Sequence, residues 1–454
     1  MALLFRILKR LGFFILVLLV LYAVGRPTQK WLDGFYSGVR EPYIQMMSSN
    51  AVTLRWQSEN EFKGVVRYGV EAKQLNNRQS ETSANEEHEI RLTNLQPNTK
   101  YFYSLGDGVT EIFKGGQFWF KTSPEVKANS ENKTRFWVTG DQGYPNIIQN
   151  QVRDSALNWA EKNSRSKNNS LFDFWLTTGD NAYRSGSNEQ FQKGFFEPYK
   201  TILRNTPVWP AYGNHDARRW VFFDIFSFPT EAENGGVASA TEHYYSFDYA
   251  NIHFVMLDTQ DSDLDTDGEM VSWLKKDLQQ TKQQWLIIIF HHPPYTKGSH
   301  DSDNQRRSGG RLNATRENVL PVLEKFGVDV VLSGHSHMYE RSELISCHYG
   351  NSSSFDKSMV RQQADAKKKY SKKGLNISEN SGTIYTVIGS SSKVDEGPLN
   401  HPAMPYSLQE AGSMIFDVNK NKLRANFINK AGAVKDHFEI IKGVAAGVES
   451  KACN

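Results

Sequence analysis

Two histidines one residue apart, His335 and His337 in the stretch GHSHMYER, directly follow the apolar run VDVVLS. A histidine pair at the end of a strand is by itself consistent with a polar turn. The same arrangement recurs at four other places in the chain: Asp141 after RFWVTG, Asp180 after FWLTTG, Asn214 and His215 after VWPAYG, and His291 after WLIIIF. Five apolar segments that each end in Asp, Asn or His indicate one shared ligand, since ordinary exposed loops would tolerate Ser, Lys or Gly equally well.

The donor types of this set favour transition metals. Together with Tyr183, the set offers two carboxylates, an amide oxygen, a phenol and three imidazoles, and the chain has no C-x-x-C metal site. Mixed oxygen and nitrogen donors suit Fe, Mn or Zn better than calcium, whose sites are nearly all oxygen. Seven protein ligands are too many for one catalytic ion that keeps an open position. They fit two ions about 3.5–4 Å apart that share a carboxylate and contact one phosphoryl group.

The elements that must position these side chains are buried strands alternating with helices. The runs RFWVT, FDFWLTT, NIHFVML, QWLIIIF and VDVVLS are typical of buried strands. Helical periodicity appears in NIIQNQVRDSALNWAEK, NEQFQKGFFEPYKTIL, GEMVSWLKKDLQQ and TRENVLPVLEKF. The alternation predicts a layered α/β domain over residues 131–440, with helices covering the sheet faces.

An all-β domain is predicted before it, over residues 34–124. AVTLRW, KYFYSL and GQFWFKT alternate apolar and polar residues, and long helical periods are lacking. LQPNTKYFY resembles a motif of fibronectin type III domains in which a tyrosine hydroxyl fixes a corner of the β-sandwich. This domain carries no chemical motif, so we expect it to pack against or orient the other domain. A ligand-binding role is the alternative.

Five short blocks resemble the metal-binding motifs of the calcineurin-like metallophosphoesterases, and specifically of the purple acid phosphatases. They occur in the family's order: GDQG (140–143), GDNAY (179–183), GNHD (213–216), IIFH (288–291) and GHSH (334–337). A β-sandwich followed by a metal-binding domain also resembles the larger, plant-type members. The resemblance implies an α/β/β/α metallophosphoesterase domain preceded by a fibronectin type III-like sandwich.

The resemblance also implies two metal sites that share Asp180. In the family the first ion is Fe(III), and the residues that match its ligands are Asp141, Asp180, Tyr183 and His337. The second ion is Fe(II), Zn or Mn, and the residues that match its ligands are Asp180, Asn214, His291 and His335. The phenolate of Tyr183 on Fe(III) would give a purple colour; a tyrosine that only packs within its turn is the alternative.

Two further histidines match substrate-facing positions of the family. His215 would bind the phosphate and protonate the leaving group, a task that suits an imidazole near neutral pH. His300, nine residues after His291, matches a second substrate-binding histidine, although its Gly- and Ser-rich loop also allows a position in solvent. His292 is expected to point away from the site and to be structural.

The implied reaction is hydrolysis of phosphate monoesters by an acid phosphatase-type enzyme. A metal-bound hydroxide would attack phosphorus directly while His215 assists the departing alcohol. A phosphodiesterase or a nucleotide pyrophosphohydrolase could use the same dimetal centre, because the metals do not distinguish these esters. A non-catalytic binding scaffold is a third alternative, but it predicts missing ligands, whereas all seven ligands and His215 are present.

The N-terminus predicts export. Basic Arg6, Lys9 and Arg10 precede an uncharged apolar run over residues 11–25, so residues 1–30 are either a cleaved signal peptide or a membrane anchor. The rest of the chain would then face an extracytoplasmic compartment, anchored towards the periplasm or exterior, or secreted. In such a compartment Cys347 and Cys453 either pair or remain thiols.

Composition limits the partners. With 53 basic and 50 acidic residues the net charge is +3, which gives no signature of a nucleic-acid binder. A small phosphorylated substrate is the expected partner, together with a membrane through the N-terminal segment. The lysine-rich stretch over residues 352–376 is predicted to be a solvated loop, with a basic surface for anionic lipid or substrate as the alternative.

Overall fold

The computed structural model describes residues 13, 15, 38–164, 170–375 and 378–453 of the 454-residue chain. The predicted signal peptide or membrane anchor, residues 1–30, lies outside the described residues except for two isolated positions. Among the described residues, the helices are all too short or too polar to cross a membrane.

The N-terminal domain is a sandwich of two antiparallel sheets. One sheet has the order β1-β2-β5, and the other has the order β4-β3-β6-β7, with β8 paired to β6. The strands are β1 Arg40–Gln45, β2 Val52–Phe62, β3 Val65–Gly69, β4 Asn77–Ser80, β5 Asn85–Leu92, β6 Lys100–Gly106, β7 Glu111–Phe113 and β8 Trp119–Lys121. This arrangement confirms the predicted fibronectin type III-like fold.

The sandwich corner is fixed as predicted. The hydroxyl of Tyr101 accepts a hydrogen bond from the backbone N–H of Gln96 at 2.9 Å. The alternating pattern of β2 predicts that Thr53 and Arg55 face solvent. In the structure they are buried, as are the apolar residues Val52, Leu54 and Trp56. Arg55 donates to the hydroxyl of Ser227 at 3.0 Å, so this face of the sandwich packs on the second domain.

The second domain contains two seven-stranded sheets, of order β11-β10-β9-β22-β23-β24-β19 and β12-β13-β14-β15-β20-β16-β21. Its strands are β9 Lys133–Thr139, β10 Phe174–Thr177, β11 Val208–Pro210, β12 Tyr245–Tyr249, β13 Ile252–Met256, β14 Trp285–Ile289, β15 Val330–Ser333, β16 Tyr339–Arg341, β17 Leu344–Ile345, β18 Val360–Gln362, β19 Lys369–Lys372, β20 Ile384–Ile388, β21 Tyr406–Leu408, β22 Gly412–Asn419, β23 Lys422–Asn429 and β24 Val434–Lys442.

Helices cover the outer faces of both sheets. They are α1 Ile147–Lys162, α2 Asn188–Phe191, α3 Glu197–Leu203, α4 Val221–Ile225, α5 Glu269–Gln280, α6 Arg311–Ala314 and α7 Leu320–Lys325. One π-helical turn, Gln192–Phe196, joins α2 to α3, and another, Thr315–Val319, joins α6 to α7. Short 3-10 turns occur at Asp216–Arg218, Arg307–Gly310, Ser352–Ser354 and Lys357–Met359.

The two sheets pack face to face, which confirms the predicted α/β/β/α layering. Phe136 of β9 and Phe174 of β10 meet Phe254 of β13 edge-on, with ring centroids 5.4 and 5.3 Å apart. A second apolar cluster lies between the other face of the β13–β15 sheet and helices α5 and α7. The domain limits 34–124 and 131–440 stay predictions.

The lysine-rich stretch is more ordered than predicted. It contains β18 and β19, and β19 pairs in parallel with β24. Lys368 pairs with Asp436, Lys369 with Glu439 and Lys373 with Glu449, while buried Lys372 donates to Asp329 at 2.8 Å. Because these four lysines are paired within the domain, the structure does not support the free basic surface of the alternative prediction.

The two cysteines, whose state the sequence left open, form a disulfide. Cys347 and Cys453 have Cα atoms 5.4 Å apart and are 106 residues apart in the chain. The bond fastens the C-terminal tail beyond β24 to the segment that follows β17.

Candidate metal centre

Aligned strand ends bring the predicted site residues together. Thr139, Thr177 and Pro210, at the ends of β9, β10 and β11, are register partners in a parallel arrangement, so the loops after them leave the sheet at one level. In the other sheet β14 and β15 are also parallel, with Ile289 opposite Leu332. The first sheet supplies Asp141, Asp180 and Asn214, and the second supplies His291, His335 and His337.

One group of donor atoms surrounds the hydroxyl of Tyr183. This oxygen lies 2.9 Å from Oδ1 of Asp141, 3.0 Å from Oδ2 of Asp180 and 3.3 Å from Nε2 of His337. Nε2 of His337 is also 3.4 Å from Oδ1 of Asp141. These four side chains are the ones predicted to hold the first ion.

A second group lies beside the first. Oδ1 of Asn214 is 3.0 Å from Nε2 of His291 and 2.9 Å from Nδ1 of His335, and these two ring nitrogens are 3.2 Å apart. Nε2 of His291 lies 3.5 Å from Oδ2 of Asp180. The same Asp180 oxygen therefore borders both groups, the position that a bridging carboxylate requires.

Each imidazole of the two groups has its other nitrogen engaged. Nδ1 of His291 donates to the carbonyl of Thr178 at 2.8 Å, and Nδ1 of His337 lies 2.6 Å from Oδ2 of Asp395. Nε2 of His335 lies 2.7 Å from the hydroxyl of Ser308. Such partners fix the ring orientation and leave the nitrogen that faces the group available as a ligand.

The backbone at the strand ends is strained. Asp141, Asp180 and His335 have φ values of 55°, 54° and 66°, in the left-handed region that residues with side chains seldom adopt. Gly213 has no room for a side chain, since a Cβ there would lie 2.2 Å from the backbone nitrogen of Asp180. The strain and the close approach are consistent with a loop geometry maintained for the site.

Sequence reasoning missed several residues that hold these loops. Asp216 is buried and accepts hydrogen bonds from the backbone N–H groups of Asn181, Ala182 and Gly213, so it joins the loop after β10 to the loop after β11. Its presence in the GNHD block was a signal for it. Ser308 lies in a short 3-10 turn and Asp395 in a loop, both without a distinguishing pattern, and Thr178 acts through its backbone carbonyl, so these roles could not be predicted from the sequence.

His215 lies at the edge of the centre. Its Nδ1 donates to the carbonyl of Arg184 at 2.6 Å, and its Nε2 lies 3.9 Å from Oδ2 of Asp180. The ring packs against Tyr183 with centroids 4.3 Å apart, and the side chain is 21% exposed. The imidazole is therefore oriented with Nε2 towards the two donor groups and remains accessible from outside.

His300 and His292 both contact the histidine cluster. The ring of His300 is 3.9 Å from that of His335, so this loop residue does not project into solvent. The ring of His292 is 4.6 Å from that of His335, closer than its predicted outward orientation implies. Nδ1 of His292 lies 3.0 Å from the hydroxyl of Thr259, however, which agrees with a structural role.

The donor groups form an acidic, buried environment that fits cations. Burial opposes ionisation of Asp180, yet His291 and His215 hold the pKa of that carboxyl below its usual range. Burial would lower the pKa of His291, but the Asp180 carboxylate raises it to about 9. Burial, followed by Asp141 and Asp180, raises the pKa of Tyr183 well above its ordinary value.

These pKa shifts show that the carboxylates of the cluster stabilise protons on the neighbouring imidazole of His291 and phenol of Tyr183. Two carboxylates and a phenol converge with an amide oxygen and three ring nitrogens, and neighbouring donor atoms are 2.9–3.5 Å apart. Cations of the Fe, Mn or Zn type would satisfy all these donors at once, and the mixed oxygen and nitrogen set matches their preference. The residues present therefore fit a dinuclear metal centre.

Comparisons with known proteins match both domains of the chain. A sequence model of the calcineurin-like phosphoesterases matches residues 134–339, and one of the purple acid phosphatase N-terminal domain matches residues 41–123. Purple acid phosphatase 21 of Arabidopsis thaliana is 28% identical over 270 residues, which cover 57% of this chain and 54% of that protein. Purple acid phosphatase 1 of Ipomoea batatas is 26% identical over 356 residues, 75% of this chain and 67% of that protein.

A solved structure extends the likeness to the fold. The structure of a purple acid phosphatase from yellow lupin seeds superposes with a TM-score of 0.68 at 19% identity, covering 91% of this chain and 76% of that one. The chain spans about half the length of several of the curated relatives it matches. Two regions of the chain thus match, in order, the purple acid phosphatase N-terminal domain and the calcineurin-like phosphoesterase domain, so the chain is purple acid phosphatase-like.

Proposed function

We propose that the chain is a dimetal phosphatase that hydrolyses phosphate monoesters. The observation that carries the proposal is the pair of donor groups that share Oδ2 of Asp180. Two bound cations supply charge neutralisation for a phosphate group and the activation of water near neutral pH. The names of the two relatives reported above, both purple acid phosphatases, support the same activity.

The proposed ligand sets follow the two groups. Fe(III) is proposed for the group around Tyr183, because a phenolate and two carboxylates are hard anionic donors. Fe(II), Zn or Mn is proposed for the group with three neutral donors. The first set is Asp141, Asp180, Tyr183 and His337, and the second is Asp180, Asn214, His291 and His335.

His215 is proposed to deliver the proton to the leaving group. Its Nδ1–H is committed to the carbonyl of Arg184, so Nε2 is the atom that can carry a proton towards a bound ester. Exposure of this side chain allows contact with substrate. His300 is proposed as a second substrate contact, since its ring centroid lies 3.9 Å from that of His335 at the border of the centre.

An extracytoplasmic location is part of the proposal. The disulfide between Cys347 and Cys453 supports it, because such bonds form and persist in oxidising compartments.

Ester hydrolysis by the full chain tests the function. The protein, loaded with iron plus zinc or manganese, is assayed with p-nitrophenyl phosphate, an alkyl phosphate, bis-p-nitrophenyl phosphate and a nucleotide across pH. Asp180→Asn is the inactive variant, and Asp154→Asn, an exposed aspartate on α1, is the matched control. Monoester turnover that is lost only in Asp180→Asn is expected. Preference for the diester would assign the centre to the phosphodiesterases, and metal binding without turnover would favour a binding scaffold.

A further inference from the structure

A serine, a histidine and a glutamate form a hydrogen-bonded chain in the sandwich domain. The Oγ of Ser58 lies 2.9 Å from Nε2 of His88, and Nδ1 of His88 lies 2.8 Å from Oε2 of Glu81. Ser58 belongs to β2 and His88 to β5, while Glu81 lies in the loop between β4 and β5. A hydroxyl, an imidazole and a carboxylate in this order are the arrangement that activates a serine as a nucleophile.

The glutamate is held in its ionised form. Its Oε2 accepts a hydrogen bond from the backbone N–H of Gly64 at 2.8 Å, and its Oε1 accepts one from the backbone N–H of Glu89 at 3.0 Å. Burial opposes ionisation of Glu81, but the hydrogen bonds to His88 and to these two backbone groups lower the pKa of the carboxyl. An ionised Glu81 accepts a hydrogen bond from Nδ1–H of His88, which leaves a lone pair on Nε2 beside Ser58.

Packing fixes the imidazole of His88 as well. The ring is fully buried and packs against Trp56 and Phe62, with ring centroids 4.4 and 4.5 Å away. Gly64 leaves room for the hydrogen bond to Glu81, since a Cβ at this position would lie 2.8 Å from both bonded atoms. Two aromatic rings and a carboxylate therefore set the orientation of the base.

The serine lies at an irregularity of its strand. The regular pairing of β2 with β5 ends at Gln57, and residues 58–61 interrupt the register. Such irregularities redirect side chains and are common next to active sites. The hydroxyl of Ser58 has two acceptors within reach, Nε2 of His88 and the carbonyl of Asn60 at 2.8 Å, and rotation about its C–O bond directs the proton to either.

Ser58 lines a cavity of about 500 Å³, a volume typical of small-molecule sites. Phe62, Ile112 and Phe113 give the cavity an apolar surface. Trp56 also lines it, and the buried indole N–H of this residue has no hydrogen-bond partner in the part of the chain that the structure describes. The cavity thus combines apolar side chains, a hydroxyl beside a base, and an unused N–H donor.

The charges around the cavity disfavour phosphate esters. Glu59, Glu61 and Asp107 are exposed and line it, whereas none of the described residues that line it is basic. Three carboxylates repel an anion and favour an uncharged or positively charged molecule. A carboxylic ester meets this requirement, and its carbonyl carbon is the atom that a serine nucleophile attacks.

We propose that Ser58 and His88, positioned by Glu81, form a second catalytic site that hydrolyses carboxylic esters with an apolar acyl group and an uncharged or cationic alcohol. The site uses no metal and lies in a different domain from the candidate metal centre. It is therefore independent of the proposed phosphatase function.

The reaction has two steps. In the first, Oγ of Ser58 bonds to the carbonyl carbon while its proton moves to Nε2 of His88, and the alcohol then leaves with that proton as its C–O bond breaks. In the second, water attacks the acyl-serine and gives a proton to Nε2, and Oγ takes this proton as its bond to carbon breaks and the carboxylic acid is released. Glu81 stays ionised and is a positioning residue, because it stabilises the charged imidazole in both steps.

Covalent labelling tests the nucleophile. The full-length, metal-loaded protein is treated with an uncharged fluorophosphonate, which bonds to an activated serine Oγ with loss of fluoride, and is analysed by intact mass and peptide mapping. One adduct per chain, on Ser58, is expected. It should be absent in Ser58→Ala and form at least about 100-fold more slowly in His88→Gln. Ser83→Ala, which changes an exposed serine of the same domain, is the matched control and should label like the wild type. No adduct in the wild type, or an adduct only at another residue, would overturn the inference.

Ester hydrolysis tests the activity apart from the metal centre. Hydrolysis of p-nitrophenyl butyrate is measured in the wild type and in Asp180→Asn, because a bound metal pair could also cleave an activated ester. Turnover is expected in both proteins, and adding Ser58→Ala to Asp180→Asn should reduce it to the rate without protein. Calorimetry of each variant confirms that it is folded. Turnover that disappears in Asp180→Asn, or that survives Ser58→Ala, would contradict the proposed site.

The positioning role of Glu81 has its own measurement. Glu81→Gln should lower kcat for p-nitrophenyl butyrate about 10²–10⁴-fold and leave KM nearly unchanged, since the carboxylate acts on the charged imidazole and not on the bound ester. A change of KM with kcat retained would show that Glu81 only shapes the cavity, which would contradict this role.

The outcomes separate this inference from the proposed function. Hydrolysis of phosphate monoesters without butyrate turnover and without an adduct on Ser58 would overturn the inference and leave the phosphatase intact. Butyrate turnover that depends on Ser58, without hydrolysis of any phosphate ester, would support the inference and contradict the phosphatase.

Discussion

At the residue scale, the candidate centre depends on side chains that are fixed before any ion binds. His291, His335 and His337 each have one ring nitrogen engaged by Thr178, Ser308 or Asp395. The other nitrogen of each ring then faces the donor groups with its orientation set. Preorganisation of this kind lowers the cost of ordering ligands when a metal binds.

Asp395 is predicted to position His337 without contacting a metal. Replacing it by Asn in Asp395→Asn should weaken the affinity of the first site about 10–100-fold, since the carboxylate orients the imidazole and increases its basicity. Competition with a chelator, followed by metal analysis, measures the affinity. Lys393→Gln is the matched control, because it removes the other partner of Asp395 and keeps the bond to His337. Equal affinity in Asp395→Asn and the wild type would contradict this role.

His215 is predicted to act on the leaving group. In His215→Asn, kcat for an alkyl phosphate should fall about 10²–10⁴-fold, the usual contribution of general acid catalysis. The fall should be smaller for p-nitrophenyl phosphate, because nitrophenolate departs readily without a proton. A loss of the same size for both esters would show that His215 serves binding or structure instead.

Much of the site was predictable at this scale because chemistry-bearing residue types recur after apolar runs. Asp141, Asp180, Tyr183, Asn214, His291, His335 and His337 are brought together as their positions indicated. Their roles as ligands stay predictions. The supporting residues could not be foreseen, since Ser308 and Asp395 reach the site only through tertiary packing of separate loops.

At the element scale, strands that end at the same height bring the five sequence blocks together in one site. Parallel pairing of β9, β10 and β11 places three loops side by side, and parallel β14 and β15 do the same in the facing sheet. The apolar runs predicted these strands, because strands buried on both faces are continuously apolar. The stretch with β19 was mispredicted, because its lysines are matched by Asp329, Asp436 and Glu439, which come from distant parts of the chain.

His253 of β13 is predicted to stabilise the edge of its sheet in a pH-dependent way. It bridges Asp248 of β12 and Asp277 of α5, with both contacts at 2.7 Å. Burial opposes the charge of this imidazole, but the two carboxylates raise its pKa to about 9. Because the folded pKa exceeds the unfolded value, the stabilisation is fully present below about pH 6.5 and is lost as the pH rises through 9.

The size of this effect can be measured by unfolding. A rise from about 6.5 to 9 corresponds to about 3 kcal/mol of unfolding free energy at low pH. Denaturant unfolding of wild type and His253→Gln at several pH values between 6 and 10 should show a difference that shrinks as the pH rises. A difference in unfolding free energy that stays constant between pH 6 and 10 would contradict the prediction that a charged His253 bridges Asp248 and Asp277.

At the scale of the whole molecule, the sandwich and the second domain are packed against each other. Tyr103 of β6 donates to the carbonyl of Arg204 at 2.7 Å, and buried Arg40 of β1 donates to Gln192 at 3.2 Å. The sequence predicted both domains from their different periodicities. It did not predict which face of the sandwich contacts the second domain. The polar residues of that face, such as Thr53 and Arg55, are typical of a solvent-exposed strand face, yet they are buried.

The disulfide is predicted to stabilise the folded molecule, because it joins two cysteines that are far apart in the chain. Cys453→Ser should lower the unfolding free energy by roughly 2–5 kcal/mol, because a loop of 106 residues is no longer closed in the unfolded chain. The expected result is a lower Tm by calorimetry, with activity at 25 °C retained. Addition of a reductant should lower the Tm of the wild type to that of the variant, and an unaltered Tm in both cases would contradict the prediction.

The central claim, that the two donor groups hold two ions through a shared Asp180, is tested most directly by metal stoichiometry. Full-length protein loaded with iron plus zinc, and freed of excess metal, is analysed by inductively coupled plasma mass spectrometry beside Asp180→Asn and the control Asp154→Asn. The account predicts two ions per chain in the wild type and control, and at most one in Asp180→Asn. One ion or none in the wild type, or two retained in Asp180→Asn, would contradict it.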